Sequence, residues 1–321
     1  MPGCLMPGTR DPASDTGTAG EAVGSYARWG GAVASDFIRL ATTAANESAA
    51  VEHPYLTALR NGDLPGLKRA LKDFALQYGL YSARFPDYVA AVAAVVDRDE
   101  HRQVLLSNLA EELAEERAVA SGEPPDEALS PELADAAAGQ PHALLYRRFQ
   151  EALGVVSSAS SASSQNGVTA TPPVGPLVGP PVGPGVDPGL EWSGRFLDLC
   201  KADAYAGIGA IGLGTELIVP RIYRQILDGL MAHTDLTMAQ RVFFHLHAAC
   251  DERHAAQLLS ITAELATDGE ACERIGSGMR EALDLRARFW DRMLERAYSL
   301  RSDDSPRHDE RLPGVGYRDS L

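Results

Sequence analysis

The chain has 321 residues, with 29 Lys and Arg against 44 Asp and Glu, so its net charge is −15. This acidic balance argues against a nucleic-acid partner, because neutralising phosphates needs a basic surface. It also opposes docking on an anionic membrane, and no stretch approaches the roughly 20 apolar residues that a spanning helix needs. We therefore expect a soluble protein that binds neither nucleic acid nor membrane.

The first residues, MPGCLMPGTRDPASD, contain neither a basic nor an apolar segment and so differ from a secretory signal. The cysteines form no CxxC pair, which favours reduced thiols over disulfides or a zinc site. They are Cys4, Cys200, Cys250 and Cys272. Both features predict a cytoplasmic protein.

Three segments have too little apolar content to offset the entropy of ordering them. Residues 1–27 and 302–321 are predicted to be disordered tails, and residues 155–190 a flexible insert rich in Ser, Pro and Gly. The remainder of residues 28–301 is predicted to form one domain, which the insert interrupts.

Within that domain apolar residues recur every three or four positions, which predicts an all-α protein of about seven or eight helices. Pro220 is expected to kink or break the long helix in which it lies. The helices are predicted over residues 64–84, 87–96, 101–120, 142–153, 190–230, 237–266 and 272–300.

His247, Asp251 and His254 are spaced four and three residues apart in a helical run, so they share one helix face. Two imidazoles flanking a carboxylate suit iron or manganese, and the absence of thiolate partners disfavours structural zinc. His245 lies off this face. The alternative is a solvated charged face that happens to contain histidines.

Other helices contain candidates for the same site. Glu216 lies in an apolar, Gly-rich helix, where an unpaired carboxylate is costly. Glu112 shares a helix face with Leu109, and His142 begins the helix that contains Tyr146. Helical bundles build dimetal sites from such inward carboxylates and imidazoles. Two alternatives stay open: Glu112 as one more solvated acid, and His142 as an ordinary helix-start residue.

Six segments occur in an order that resembles the heme-oxygenase-like diiron oxidases, which are relatives of the TenA and PqqC folds. The resemblance covers roughly residues 50–300 and implies a heme-oxygenase-like helical bundle. The segments are His53-Pro54-Tyr55, DFALQYGLYSARFPDYVAAV, Asn108–Glu112, the helix from His142 to Gly154, Glu216–Pro220, and the triplet His247, Asp251 and His254.

The resemblance implies two ferrous ions, O2 as co-substrate through a peroxo-diferric intermediate, and an external electron donor. It also implies a homodimer, and a reductase is the expected source of electrons. The six implied iron ligands are Glu112, His142, Glu216, His247, Asp251 and His254.

The long interval between Glu112 and His142 resembles the branch of this family that oxygenates amine nitrogen and has an additional carboxylate ligand in that interval. Glu132 is the candidate for the seventh ligand, and Asp135 is the next candidate. Because Ser130-Pro131 is typical of a helix start, Glu132 alternatively serves only the first turn of a helix. We expect an N-oxygenase that converts a small-molecule amine to a hydroxylamine, nitroso or nitro compound in specialised-metabolite biosynthesis.

Two other branches are disfavoured. The branch that makes an aminobenzoate from its own side chains uses a tyrosine and a lysine where this chain has Leu56 and Ile226. The thiaminase-like branch uses a catalytic cysteine, and Cys250 falls on the opposite side of its helix from His247. Two alternatives remain: C–C cleavage or desaturation of an amino or fatty acid at the same site, and a non-catalytic metal-binding protein.

Tyrosines are the candidate residues of the substrate pocket, although core packing with a satisfied hydroxyl group is the more common role of a buried tyrosine. The candidates are Tyr78, Tyr81, Tyr146 and Tyr223. Negative charge is concentrated in residues 111–135, which hold nine acids and one base. The order of this segment is expected to depend on bound metal.

Overall fold

The computed structural model describes residues 19–114, 130–155 and 187–302, and every regular element in these ranges is helical. The all-α prediction is confirmed. In the described ranges the helices are α1 (Ala19–Asn46), α2 (Pro54–Asn61), α3 (Leu67–Ser82), α4 (Phe85–Val95), α5 (Asp99–Glu112), α6 (Pro131–Ala137), α7 (His142–Ala152), α8 (Pro188–Ala202), α9 (Ala204–Ile208), α10 (Val219–His233), α11 (Val242–Leu265) and α12 (Gly269–Ser302), with a π-helical segment at Gly209–Glu216 and a 3-10 turn at Met238–Gln240.

The predicted count of seven or eight helices was too low, chiefly because the single helix predicted over residues 190–230 is four elements. Asp203 has an extended backbone, and its carboxylate accepts the N–H groups of Tyr205 and Ala206, so α8 ends and α9 begins there. Pro220 lies in the first turn of α10, where its missing N–H costs nothing. Periodicity alone could not show these breaks, since every piece keeps its apolar residues inward.

The predicted segment boundaries differ from the helix ends in several places. Helix α1 begins within the predicted tail 1–27, α8 begins within the predicted insert 155–190, and α12 reaches Ser302. Helix α5 ends at Glu112, earlier than predicted, and Ala114 follows with a positive φ of 52°. The remaining residues of the tails, the insert and the 101–120 helix lie outside the described ranges.

Aromatic side chains from α3 and α12 form the centre of the core. Tyr78 stacks on Trp290 with the ring planes 7° apart, and Phe74 contacts both rings. Such a cluster removes a large apolar area from water. The cluster holds α3 and α12 beside each other.

The π-helical segment packs very closely on α12. A Cβ atom on Gly209 would lie 2.0 Å from the carbonyl oxygen of Ile275, and one on Gly214 would lie 2.6 Å from the Cβ of Ala282. Only glycine permits this approach. The segment ends at Glu216, whose side chain is buried in the bundle.

Two further expectations concern thiols and membranes. Cys200 and Cys272 are free thiols, Cys4 lies outside the described residues, and nothing is described of the Cys250 side chain. None of the helices in the described ranges is long and apolar enough to cross a membrane.

Candidate metal centre

Glu112, His142 and His247 come together inside the bundle from α5, α7 and α11. One nitrogen or oxygen atom of each lies within 4.8 Å of those of the other two. His142 Nδ1 is 3.0 Å from Glu112 Oε2, and His247 Nε2 is 3.9 Å from Glu112 Oε1. The two imidazoles therefore face the two oxygens of one carboxylate.

This trio fits an iron ion. His142 Nδ1 is buried and forms no hydrogen bond, although it lies close to the Glu112 carboxylate. A buried polar atom without a partner is costly, and a bound cation would satisfy it. A donor set of imidazole and carboxylate without thiolate suits iron or manganese.

A second pair of predicted ligands lies next to the first trio. His254 Nδ1 is 4.0 Å from Glu216 Oε2, and both side chains are buried. Asp251 lies on α11 three residues before His254, but its side chain is outside the described part of the structure. Four elements thus bring together five of the six predicted ligands in two groups.

Hydrogen bonds determine which nitrogen of two histidines is free. Nδ1–H of His247 donates to the carbonyl oxygen of Phe243 at 2.7 Å, which leaves Nε2 with its lone pair towards Glu112. Nε2–H of His254 donates to Glu111 at 2.9 Å, which leaves Nδ1 towards Glu216. Metal-binding histidines are typically oriented by such an acceptor on the other ring nitrogen.

Sequence reasoning missed the role of Glu111, which looked like one more acid in an acidic run. From α5, its carboxylate contacts both Arg253 and His254 on α11. The sequence offered one signal, its position directly before Glu112.

The protonation states of Glu112 and His247 suit metal binding. Burial raises the pKa of Glu112, but the charge of His142, 3.0 Å away, outweighs it and brings that pKa to about 2. Burial and the charge of His142 lower the pKa of His247 to about 3. Glu112 is therefore ionised and His247 neutral at pH 7, as ligation requires.

Glu216 and His254 both hold their protons more tightly than isolated side chains do. Burial, followed by the charge of Glu112, raises the pKa of Glu216. Burial lowers the pKa of His254, but the hydrogen bond to Glu111 and the charge of Glu216 outweigh this and raise it. A metal ion entering this half must therefore displace protons.

The candidate seventh ligands Glu132 and Asp135 are both exposed on α6. Ser130 caps this helix by accepting the Leu133 N–H, and Glu132 lies in its first turn. Neither acid joins the grouping of possible metal ligands among the described residues. The metal role of Glu132 stays a prediction, and its position is the one that the helix-start alternative describes.

A small cavity, with about 30 Å³ of free volume, adjoins the ligands. Tyr78, Tyr81 and Tyr223 line it together with Glu112, Glu216, His142 and His247. The fourth candidate, Tyr146, donates its hydroxyl hydrogen to the Ala75 carbonyl and packs in the core. Sequence reasoning missed Arg286, which also lines the cavity.

Comparisons with known proteins agree with this geometry. A sequence model of the family described as iron-containing redox enzymes matches residues 126–287, which include His142, Glu216, His247 and His254. A solved domain of unknown function with a heme oxygenase-like fold, from Shewanella denitrificans OS217, is 13% identical, with a TM-score of 0.54. That match covers 91% of this chain and 98% of the other, so the expected heme-oxygenase-like fold is confirmed. No curated protein matches the chain.

Proposed function

This chain belongs to the iron-containing redox enzyme family, and from that premise we propose that it is a non-heme diiron oxygenase that acts on an amine nitrogen. The family makes it an oxidoreductase. The proposed reaction uses O2 and electrons from an external donor such as a reductase. The proposed product is a hydroxylamine, a nitroso compound or a nitro compound.

The arrangement of Glu112, His142 and His247 beside Glu216 and His254 is the main support for a metal pair. The two groups interact electrostatically, because the charge of Glu112 contributes to raising the pKa of Glu216 and that of His254 contributes to lowering the pKa of Glu112. When bound, two ferrous ions would supply electrons for the reduction of O2. They would also offer vacant coordination positions for the gas and the substrate.

The chain's own residues prepare this site for the reaction. Ionised Glu112 and neutral His247 offer lone pairs at neutral pH without a prior loss of protons. The side chains of Val219 and Phe243 line the cavity and limit the entry of water. The Tyr78 and Tyr223 hydroxyl oxygens are 2.7 Å apart. Either group can donate a hydrogen bond to a bound substrate or accept one from it.

Nitrogen is proposed as the oxidised atom on the resemblance of the 112–142 interval to that of the amine-oxygenating branch. The net charge of −15 also favours the approach of a cationic amine over long range. A homodimer is proposed on the same resemblance.

The proposal is tested by loading the full-length protein with ferrous iron under anaerobic conditions and then adding a panel of primary amines and isotopically labelled O2. Mass spectrometry of the products identifies which atom gains oxygen. We expect label on nitrogen, with loss of this product in Glu112→Gln, since this change removes the carboxylate that faces both histidines. Glu100→Gln, an exposed acid on the same helix, is the matched control and should retain the product.

Other products would change the assignment. An alkene released with formaldehyde or CO2 from amino or fatty acids would replace N-oxygenation by C–C cleavage or desaturation. No O2 consumption in the presence of bound iron would leave a non-catalytic metal-binding protein and contradict the oxygenase proposal.

A further inference from the structure

Arg286 is a fully buried cation that lines the cavity. The side chain comes from α12 and is only 1% exposed. Its guanidinium lies 4.9 Å from the ring centre of Trp192 and 3.5 Å from the hydroxyl oxygens of Tyr78 and Tyr81. Hydrogen bonds of this length to neutral groups are weak.

Among the described residues no carboxylate is in direct contact with this buried charge, and the charge of Glu216 in the same cavity acts on it only from farther away. No carboxylate there forms an ion pair with Arg286, and its Nε atom forms no hydrogen bond. By contrast, the half-buried Arg296 of the same helix is paired, since its guanidinium donates to both oxygens of Asp73. Burying a guanidinium without a directly bound counter-charge is costly, so a ligand that supplies one would be bound strongly.

Arg286 also lies where a substrate would be. It lines the same cavity as Glu112, Glu216, His142 and His247. The cavity wall continues to Ser82, Phe85 and Pro86, which are half-buried, and to Ala143, which is exposed. A small molecule entering from that side would meet the guanidinium and the metal ligands together.

We propose that Arg286 binds a carboxylate group of the substrate. The planar fork of a guanidinium matches the two oxygens of a carboxylate. A monoanionic carboxylate is favoured over a phosphate, because a dianion would be repelled more strongly by ionised Glu112 in the same cavity. Combined with the proposed function, on which this step rests, the substrate class is an amino acid that presents its amine to the metal ligands and its carboxylate to Arg286.

The test measures the equilibrium binding of propionate to the metal-free full-length protein. Calorimetry and tryptophan fluorescence detect the binding, since Trp192 stacks on Arg286. Neutral propanamide, which has the same shape, and inorganic phosphate are the comparison probes. We expect propionate to bind in preference to both, and Arg286→Met to weaken its binding about tenfold or more, since a charge-assisted contact is lost. Arg288→Met removes an exposed charge two residues away and should bind propionate like the wild type.

Two additions keep the test decisive if Arg286→Met does not fold. Arg286→Gln retains polar atoms without the charge and should lose the preference for propionate over propanamide. In the unmodified protein, the NMR signal of a buried arginine Nε–H should shift with propionate and not with propanamide. A purely structural role of Arg286 would alter the melting temperature but not this preference.

Equal binding of propionate and propanamide, no binding of propionate, or unchanged binding in Arg286→Met would overturn the proposal. Tighter binding of phosphate than of propionate would also overturn it. The experiment uses neither iron nor turnover, so its failure is distinguishable from a failure of the proposed oxygenase activity.

Discussion

His247 and His254 each use one ring nitrogen to fix the orientation of the ring and keep the other nitrogen free. The acceptor for His247 is a backbone carbonyl within α11, whereas the acceptor for His254 is the carboxylate of Glu111 on α5. A side-chain acceptor can be changed without altering the backbone. Glu111 is therefore the residue at which the contribution of ring orientation to metal binding can be measured.

We predict that Glu111→Ala weakens metal binding at the His254 half about ten- to a hundredfold, because acceptors behind ligating histidines typically contribute that much. The loss should be largest near pH 8. At pH 6 it should be smaller, because Glu111 raises the pKa of His254 and so helps protons to compete with the metal in the wild type. Anaerobic titration with ferrous iron at both pH values measures the effect.

Two variants serve as controls for this prediction. Glu111→Gln keeps an acceptor oxygen and should lose less affinity than Glu111→Ala. Glu100→Gln, on the exposed part of α5, should bind iron like the wild type. Equal affinity of Glu111→Ala and the wild type at pH 8 would show that Glu111 does not orient the ligand.

The sequence predicted residue types better than their neighbours in space. Spacing singled out His247 and His254, and apolar surroundings singled out Glu216. Glu112 and His142 were assigned to the site by the family resemblance. Glu111 could not be separated from the acids around it. Arg286 gave a weak signal, since it occupies an otherwise apolar stripe with Leu283 and Trp290, but nothing along the chain showed that it lacks a directly paired carboxylate.

Close packing of the π-helical segment on α12 is the main feature at the scale of elements. It depends on Gly209 and Gly214, whose missing side chains admit the backbone and side chains of α12. π-Helical turns often occur at functional sites. Here the turn ends at Glu216 and sets the depth at which this carboxylate enters the bundle.

We expect Gly209→Ala to destabilise the protein by about 2 kcal/mol or more, because a Cβ atom there would overlap the backbone of Ile275. Gly194→Ala on α8 is the matched control. A Cβ atom at Gly194 meets nothing within 4 Å, so this change should stabilise the helix by about 0.5–1 kcal/mol. Urea unfolding of both variants measures the difference.

If Gly209→Ala were as stable as the wild type, the approach of the π-helical segment to α12 would not need glycine. Iron binding provides a second readout. The group of Glu216 and His254 should bind ferrous iron more weakly in Gly209→Ala than in the wild type. In Gly194→Ala its affinity for iron should be unchanged.

Periodicity predicted the helical class and the approximate position of α3, α4, α7, α11 and α12. It could not predict the division of the 190–230 segment, because Asp203 and Pro220 act through local capping rather than through apolar spacing. Nor could it reveal a π-helical turn, because every residue of Gly209–Glu216 is buried and no exposed face marks the helical period there.

In the whole molecule, the proposed metal ligands link distant parts of the chain. They come from α5, α7, the π-helical segment and α11, so the site is complete only when these elements pack together. Metal binding is then coupled to folding, because the unfolded chain has no such site. The cavity and Arg286 add α3 and α12 to the same unit.

We propose that two neighbouring groups hold one iron ion each: Glu112 with His142 and His247, and Glu216 with His254. Anaerobic titration of the full-length protein with ferrous iron, followed by Mössbauer spectroscopy, tests this most directly. We expect about two ions per chain, and about one in Glu216→Ala if the first trio binds independently. One ion in the wild type, or none, would contradict it.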